Sequence, residues 1–415
     1  MIEKYVPYTV ADVKRESSKN LFSVVSCFAG GGGSSTGYRL AGGNVLLINE
    51  FVEEAISSYK ENYPDTPILV DDIKKYSGQD FLNIADLKVG ELDILDGSPP
   101  CSAFSVSGKG EKGWVGYVSD TRKSYFNDDG EIVHEGELKT NDGVKKYSDD
   151  KVQEGIEDLF LEYIRIAKDI QPKVIVAENV KGITMGPAKA KLVEFINAFD
   201  SIGYQVTYKV MNASDFGTAQ NRERTIFVCI RNDVFDAIDM NVLSLSSIFP
   251  SKTSIKIPME DAICDVDNDP EEIQMLLDYV QKGYQKFYIE NLPFRPLKTI
   301  NPGDPEFRSW NPKASCFNMK RPAPSRPCPT LTQMGQQMTT SGVFHYDFNR
   351  KFTIPELKRL MGLPEDYTLT GSFNQKAERI GRMVAPKMMA ELSKSIYQNV
   401  LKVYYESVEE PDKRS

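Results

Sequence analysis

Between residues 21 and 231, short apolar runs alternate with segments of helical period. Strands are predicted from Leu21, at Val45 to Ile48, Ile68 to Val70, Asp93 to Leu95, Val174 to Ala177, Gln205 to Met211 and Thr225 to Ile230. Helices are predicted after the glycine-rich turn that ends the first strand, at Leu159 to Ile170, and at Lys191 to Ile202. This alternation predicts an α/β fold, a doubly wound and mostly parallel Rossmann-like sheet with its site at the carboxyl ends of the strands. From about Asn232 to Pro324 the alternation stops and prolines and aromatics take over, which predicts a second, smaller domain at 232–324. Helical period resumes at Ile354 to Met361 and Ala377 to Val400, so residues 325–405 are expected to return to the first domain and close it with a helix. Residues 1–20 read as an arm or short leading helix, and 406–415 as a tail. Residues 114–151 read as a polar insertion, with a hairpin turning at Asp128-Asp129-Gly130.

Composition narrows the function classes. The 415 residues are 40% hydrophobic and suffice for two domains, or for one large domain with a smaller one appended. No run of about 18 apolar residues occurs, and no apolar run follows a basic amino-terminal segment, so a cytoplasmic protein without membrane contact is expected. The six cysteines (27, 101, 229, 264, 316 and 328) show no C-x-x-C spacing and should be free thiols in a reducing compartment. With His134 and His345 as the only histidines, a zinc site or a Ser-His-Asp triad is hard to build, and no metal is expected. A net charge of −9 argues against wholesale binding of a polyanion, but the charge is uneven. Glu260 to Asp278 carries eight acidic residues and no basic one, whereas Lys282 to Arg326 carries nine basic and three acidic, so one local face could meet phosphates.

The candidate chemistry centres on residues 93 to 108, DILDGSPPCSAFSVSG. A buried strand ends there in a turn, and two prolines fix the backbone so that Cys101 is presented at the strand's carboxyl edge. The glycine-rich turn FAGGGG offers backbone amides and a helix amino terminus to a nucleoside-containing cofactor. Phosphate binding is the weaker reading, since no lysine follows the glycines. The run Val45 to Ile48 ends at Asn49-Glu50, an acid suited to a ribose hydroxyl pair, and Ile68 to Val70 ends at Asp71-Asp72-Ile73, where a carboxylate could accept from an adenine amino group. Glu178 ends a further strand, and Gln220-Asn221-Arg222-Glu223-Arg224 opens another.

In this order the pieces resemble the DNA cytosine-5 methyltransferase family from Phe22 to about Val400. FAGGGG looks like the family's donor-binding motif, GSPPCSAFSVSG like its Pro-Cys catalytic loop, and PKVIVAENV carries its Glu-Asn-Val. QNRER carries its Gln-x-Arg-x-Arg, and RPAPSRPCPTLTQ is similar to its ninth motif. The resemblance implies a fold of the S-adenosylmethionine-dependent methyltransferase type, with 232–324 as the target-recognition domain. It implies a donor pocket from Phe28, Ala29, Gly30, Gly32, Glu50, Phe51, Asp72, Ile73, Pro99, Arg382 and Val384, and catalysis by Cys101, Glu178, Arg222 and Arg224. Carbon 5 of cytosine is a poor nucleophile, so the Cys101 thiolate would first add to carbon 6, with Arg222 and Arg224 as nearby cations and Glu178 reading the ring nitrogen and amine. The implied substrate is a base flipped out of double-stranded DNA, and the implied state is a monomer. Ser105 and Gly108 of the catalytic loop, with Arg295, Lys298, Arg308, Lys313, Lys320, Arg321 and Arg326, are the expected DNA contacts.

Two departures stand out. The insertion at 114–151 is longer than is usual for the family, and the last motif, normally Gly-Asn-x-Val, reads Gly381-Arg382-Met383-Val384. A guanidinium there needs an anion. Three partners stay open for it: a DNA phosphate or internal carboxylate, the donor's α-carboxylate, or an extra carboxylate on a carboxy-S-adenosylmethionine that would make the product 5-carboxymethylcytosine. A tRNA cytosine-5 methyltransferase, a non-catalytic DNA-binding regulator and a nicotinamide-dependent oxidoreductase are the rival classes. The last gives no role to Pro-Pro-Cys or to the arginine pair.

Overall fold

The computed structural model describes residues 5–99, 119–120, 123–126, 132–135, 138–139, 150–238, 242–252, 256–280, 290, 292–301, 319–338 and 342–409. Seven strands form its central sheet: β1 (Phe22–Cys27), β2 (Gly43–Glu50), β3 (Ile68–Val70), β4 (Ile94–Gly97), β5 (Val174–Val180), β6 (Tyr204–Asn212) and β7 (Glu223–Arg231). Their order is β6-β7-β5-β4-β1-β2-β3. The pairings from β5 through β3 are parallel, while β7 runs antiparallel to both β5 and β6. The expected doubly wound, mostly parallel sheet is therefore present, with one strand reversed. Its carboxyl edge gathers the ends of β1, β2, β4 and β5 and the start of β7.

The sheet is buried on both faces, which is why its strands read as apolar runs. Val24, Ile94, Val174, Val176 and Ile226 point into one cluster, with Tyr38, Met388 and Met389. Val25, Leu95, Ile175, Ala177 and Phe227 point into the other, with Phe81, Tyr163 and Phe199. The helices Gly78–Ala85, Asp150–Ile170 and Lys189–Ser201 cover the second face, and Gly33–Leu40 and Pro386–Ile396 cover the first. The leading segment forms the helix Val10–Ser17, started by Thr9 and Asp12 in a reciprocal capping box. In the insertion, Lys123–Phe126 pairs antiparallel with Ile132–Glu135; the turn between them lies outside the described residues.

One expected element divides. Ala377 to Val400 is two helices, Phe373–Arg382 and Pro386–Ile396, followed by a wide turn at Tyr397–Leu401. Pro386 has no amide to donate and disfavours a helical Ala385, whose ψ is 121°. Met383 is likewise extended. The break lays Met383 and Val384 against the glycine turn: a Cβ on Gly31 would sit 2.3 Å from the Met383 side chain, and one on Gly33 2.4 Å from the Val384 carbonyl oxygen.

The segment 319–361 carries a buried polar network. Arg350 donates twice to Glu356, at 2.8 and 2.7 Å, and Glu356 also caps the helix Ile354–Met361 through the Thr353 amide. Arg321, expected on DNA, is fully buried; it donates to the carbonyls of His345 and Phe348 and to the Asn349 side chain, at 2.6, 3.0 and 2.7 Å. That corrects its assignment. A guanidinium cannot be left unpaired in an interior, and these acceptors hold it inside.

His345 lies in the same network, with its Nδ1 accepting from the Asp347 amide at 3.0 Å. Burial pushes it down to about 4, and the nearby Arg350 and Arg321 add to the effect. An unfolded chain takes up a proton there below about pH 6.5 that the folded chain refuses until about pH 4, so stability falls as pH drops through that window. Urea melts across it should show a shallower loss for His345→Asn than for the parent.

Candidate active site

The glycine turn is fastened to the end of β2. Ala29 donates its amide to the Asn49 carbonyl at 3.2 Å, and Gly30 donates to Glu50 Oε2 at 2.7 Å. Glu50 Oε1 accepts from the amides of Phe51 and Val52, both at 2.9 Å. Three backbone amides thus hold one buried carboxylate, which has about four lone-pair sites and can still take a hydroxyl. The turn needs left-handed backbone at Phe28, Gly30 and Gly32, with φ of 54°, 55° and 89°. A Cβ built on Gly30 would have no atom within 4 Å, so open space lies beside its Cα, whereas Gly31, Gly32 and Gly33 are hemmed in from behind. The Tyr367 hydroxyl adds a bond to the Gly31 carbonyl.

Next to this turn, Phe51 presents a ring that is 58% exposed. Asp72 caps a short turn by accepting the Lys74 amide at 3.0 Å, and Ile73 is buried behind it. Pro99 is buried at the start of the Pro-Cys loop. Cys101, Ser105 and Gly108 lie outside the described residues, as do Arg308 and Lys313.

Across the sheet edge, Glu178 closes β5 with a side chain only 12% exposed, and Arg224 Nε meets its Oε1 at 2.7 Å. The register explains the meeting. Glu178 lies opposite Ile226, so Arg224, two residues earlier on antiparallel β7, shares its face. Burial works against the Arg224 charge, and Glu178 opposes that by pairing with it. Arg222, also on this motif, does a different job. It is 1% exposed and donates to the carbonyls of Leu331 and Gly381, at 2.9 and 2.8 Å. The structure therefore spends this guanidinium on backbone, binding the start of β7 to the returning chain.

Arg382 has an internal partner. Its Nε donates to Glu378 Oε1 at 2.8 Å, one helical turn earlier, and its side chain is 50% exposed. Of the remaining expected DNA contacts, Lys298 and Arg326 are exposed and Lys320 is half-buried. Arg295 is exposed but bound to both Asp347 and Glu260. Sequence reading passed over Asp96, a fully buried carboxyl inside the apolar strand β4, although a charge in such a run is itself a signal. It also passed over Glu378 and Tyr367, for which no local pattern exists. Among the described residues there is no metal-binding cluster of His, Cys, Asp and Glu, and no helix long and apolar enough to cross a membrane.

The C-5 cytosine-specific DNA methylase family model matches residues 22–135 and 142–398. The chain belongs to this family. It is a methyltransferase of the cytosine-5 class. It is similar to the type II methyltransferase M.NgoPII of Neisseria gonorrhoeae, with 25% identity over 391 residues, 91% of this chain and 96% of the relative. It is 26% identical to M.Eco47II of Escherichia coli over 391 residues, which are 91% of this chain and 79% of the relative. Among solved structures, a DNA modification methyltransferase encoded within an E. coli prophage superposes with a TM-score of 0.61 at 18% identity, over 92% of this chain and 99% of that one. A Spodoptera frugiperda DNMT2 mutant superposes at 0.55 and 17%, over 92% and 99%. The methyl donor of such enzymes is S-adenosylmethionine, and the residues found here fit it: open space beside the Gly30 Cα, a spare acceptor on Glu50 and an exposed ring at Phe51.

Glu50→Ala should weaken S-adenosylmethionine binding by at least about tenfold in calorimetry, since it removes both a hydroxyl acceptor and the anchor of three amides.

Proposed function

We propose that this chain transfers a methyl group from S-adenosylmethionine to carbon 5 of a cytosine flipped out of double-stranded DNA, acting as a monomer. The observation that carries the reading is the Glu178–Arg224 pair at 2.7 Å, set on the same sheet edge as the glycine turn and the exit of β4.

In this reading Cys101, as thiolate, adds to carbon 6 of cytosine. The bond turns the ring into an enamine and makes carbon 5 nucleophilic. Glu178 hydrogen-bonds the ring nitrogen and the exocyclic amine, which identifies cytosine and stabilises charge developing during addition. Arg224 holds one Glu178 oxygen in place, so the carboxylate is oriented before the base arrives. Arg222 is a positioning residue, because its guanidinium is occupied by the carbonyls of Leu331 and Gly381. Gly30, Glu50, Phe51 and Asp72 hold the donor, which supplies the methyl group when bound. Loss of the carbon-5 proton and elimination of Cys101 then release the product. Lys298, Lys320 and Arg326 serve as phosphate contacts on the target-recognition side.

The Arg382–Glu378 pair supports methyl over carboxymethyl transfer, because the guanidinium already has an internal carboxylate partner on its own helix.

Two measurements test the proposal. Duplex DNA containing 5-fluorocytosine should trap the enzyme covalently, and Cys101→Ser should abolish the adduct and lower methyl transfer by at least about a thousandfold. A nicotinamide oxidoreductase or a non-catalytic regulator would give no adduct. In the second, nucleoside mass spectrometry with both donors supplied should show 5-methylcytosine in duplex DNA, and tRNA under the same conditions should stay unmodified. Carboxymethylcytosine as the main product would overturn the reading of Arg382.

A further inference from the structure

Asp96 is a carboxyl in the middle of the sheet, and none of the steps above uses it. It is 1% exposed, with the Ser26 hydroxyl donating to Oδ2 at 2.6 Å and the Tyr38 hydroxyl to Oδ1 at 3.0 Å. The strand register places it opposite Ser26 on β1 and Val176 on β5. Glu178 lies two residues beyond Val176, so it shares that face and stands diagonally across from Asp96. Arg224 reaches the same face from β7 and binds Glu178. Two carboxyls and one guanidinium therefore share one face of three adjoining strands. Asp96 also lies five residues ahead of Cys101, at the exit of the strand that becomes the Pro-Cys loop.

The surroundings favour the neutral form of Asp96. Burial pushes it up to about 7, the two hydroxyls pull the other way, and the Glu178 charge adds to the rise. Tyr38 is kept neutral by its own burial. From the opposite face Cys27 and Tyr163 are the titratable neighbours, and burial raises both well out of the physiological range.

We propose that Asp96 is a positioning residue of the transfer site, acting through Glu178: the reaction runs with Asp96 neutral and slows as Asp96 ionises. Thiolate addition moves negative charge onto the cytosine ring beside Glu178, and a second anion on the adjoining strand opposes that movement, against the paired Arg224 and the charge of nearby Arg222. The inference rests on the assignment of Cys101 and Glu178 above.

The test is single-turnover methyl transfer from S-adenosylmethionine to duplex DNA, from about pH 6 to about pH 8.5, for the parent and for Asp96→Asn, which keeps the shape of the neutral carboxyl. The ratio of variant to parent rate should rise about tenfold across that range, and a ratio independent of pH overturns the proposal. If Asp96→Asn does not fold, Tyr38→Phe decides: it removes a hydroxyl that stabilises the ionised form, so the alkaline fall in rate should move to higher pH, and an unmoved profile overturns the proposal. Trapping of the parent on 5-fluorocytosine DNA separates the two readings. A parent that forms neither adduct nor methylated product refutes the site assignment itself, whereas a parent that traps normally with a flat rate ratio refutes only the role of Asp96.

Discussion

The Arg222 guanidinium holds together parts of the chain that are far apart in sequence. It leaves the start of β7, donates to Leu331 more than a hundred residues further along the chain, and donates to Gly381 at the end of the helix Phe373–Arg382. The side chain is fully buried, and burial alone would drive it toward its neutral form. A charge in such a place is tolerated only where strong acceptors are fixed around it, so the two carbonyls must stay where they are. That constraint sets the last motif beside the glycine turn. Gly381 itself has no room for a side chain, since a Cβ there would meet the Gln333 backbone at 2.6 Å.

Much of the fold was legible because the sheet is buried on both faces. Ile68–Val70 and Ile354–Met361 coincide with their expected ranges, and the other strands differ from theirs by a few residues at the ends. The ends shift because the strands run on into buried polar residues that carry no apolar signal, as at Asn49-Glu50 and Asn179. The helix expected from Ala377 to Val400 was misread because its period continues through Pro386 while the backbone between Met383 and Ala385 is extended. Period reports which residues are buried, and here both helices bury the same side.

The site was legible in residue types and less so in roles. Glu50, Glu178 and Arg224 show themselves as charges at the ends of apolar strands, and the structure joins the last two. Arg222 and Arg224 are alike in sequence and differ in what they meet, a distinction set by segments more than a hundred residues away that take up Arg222. Arg321 and Arg326 likewise look equivalent in a basic stretch. One is sealed against three backbone and side-chain oxygens and the other faces solvent. Composition measures charge but not where a side chain points.

The helix Gly33–Leu40 begins within a few residues of β1, yet its partner is Pro386–Ile396. Gly37 lies so close to that partner that a Cβ would come within 2.5 Å of the Met389 side chain. During synthesis the first helix leaves the ribosome long before the residues that cover it exist. Until then its apolar side must be shielded by something else, so the nascent chain is a natural client for chaperones, and completion of the sheet's first face is among the last events of folding.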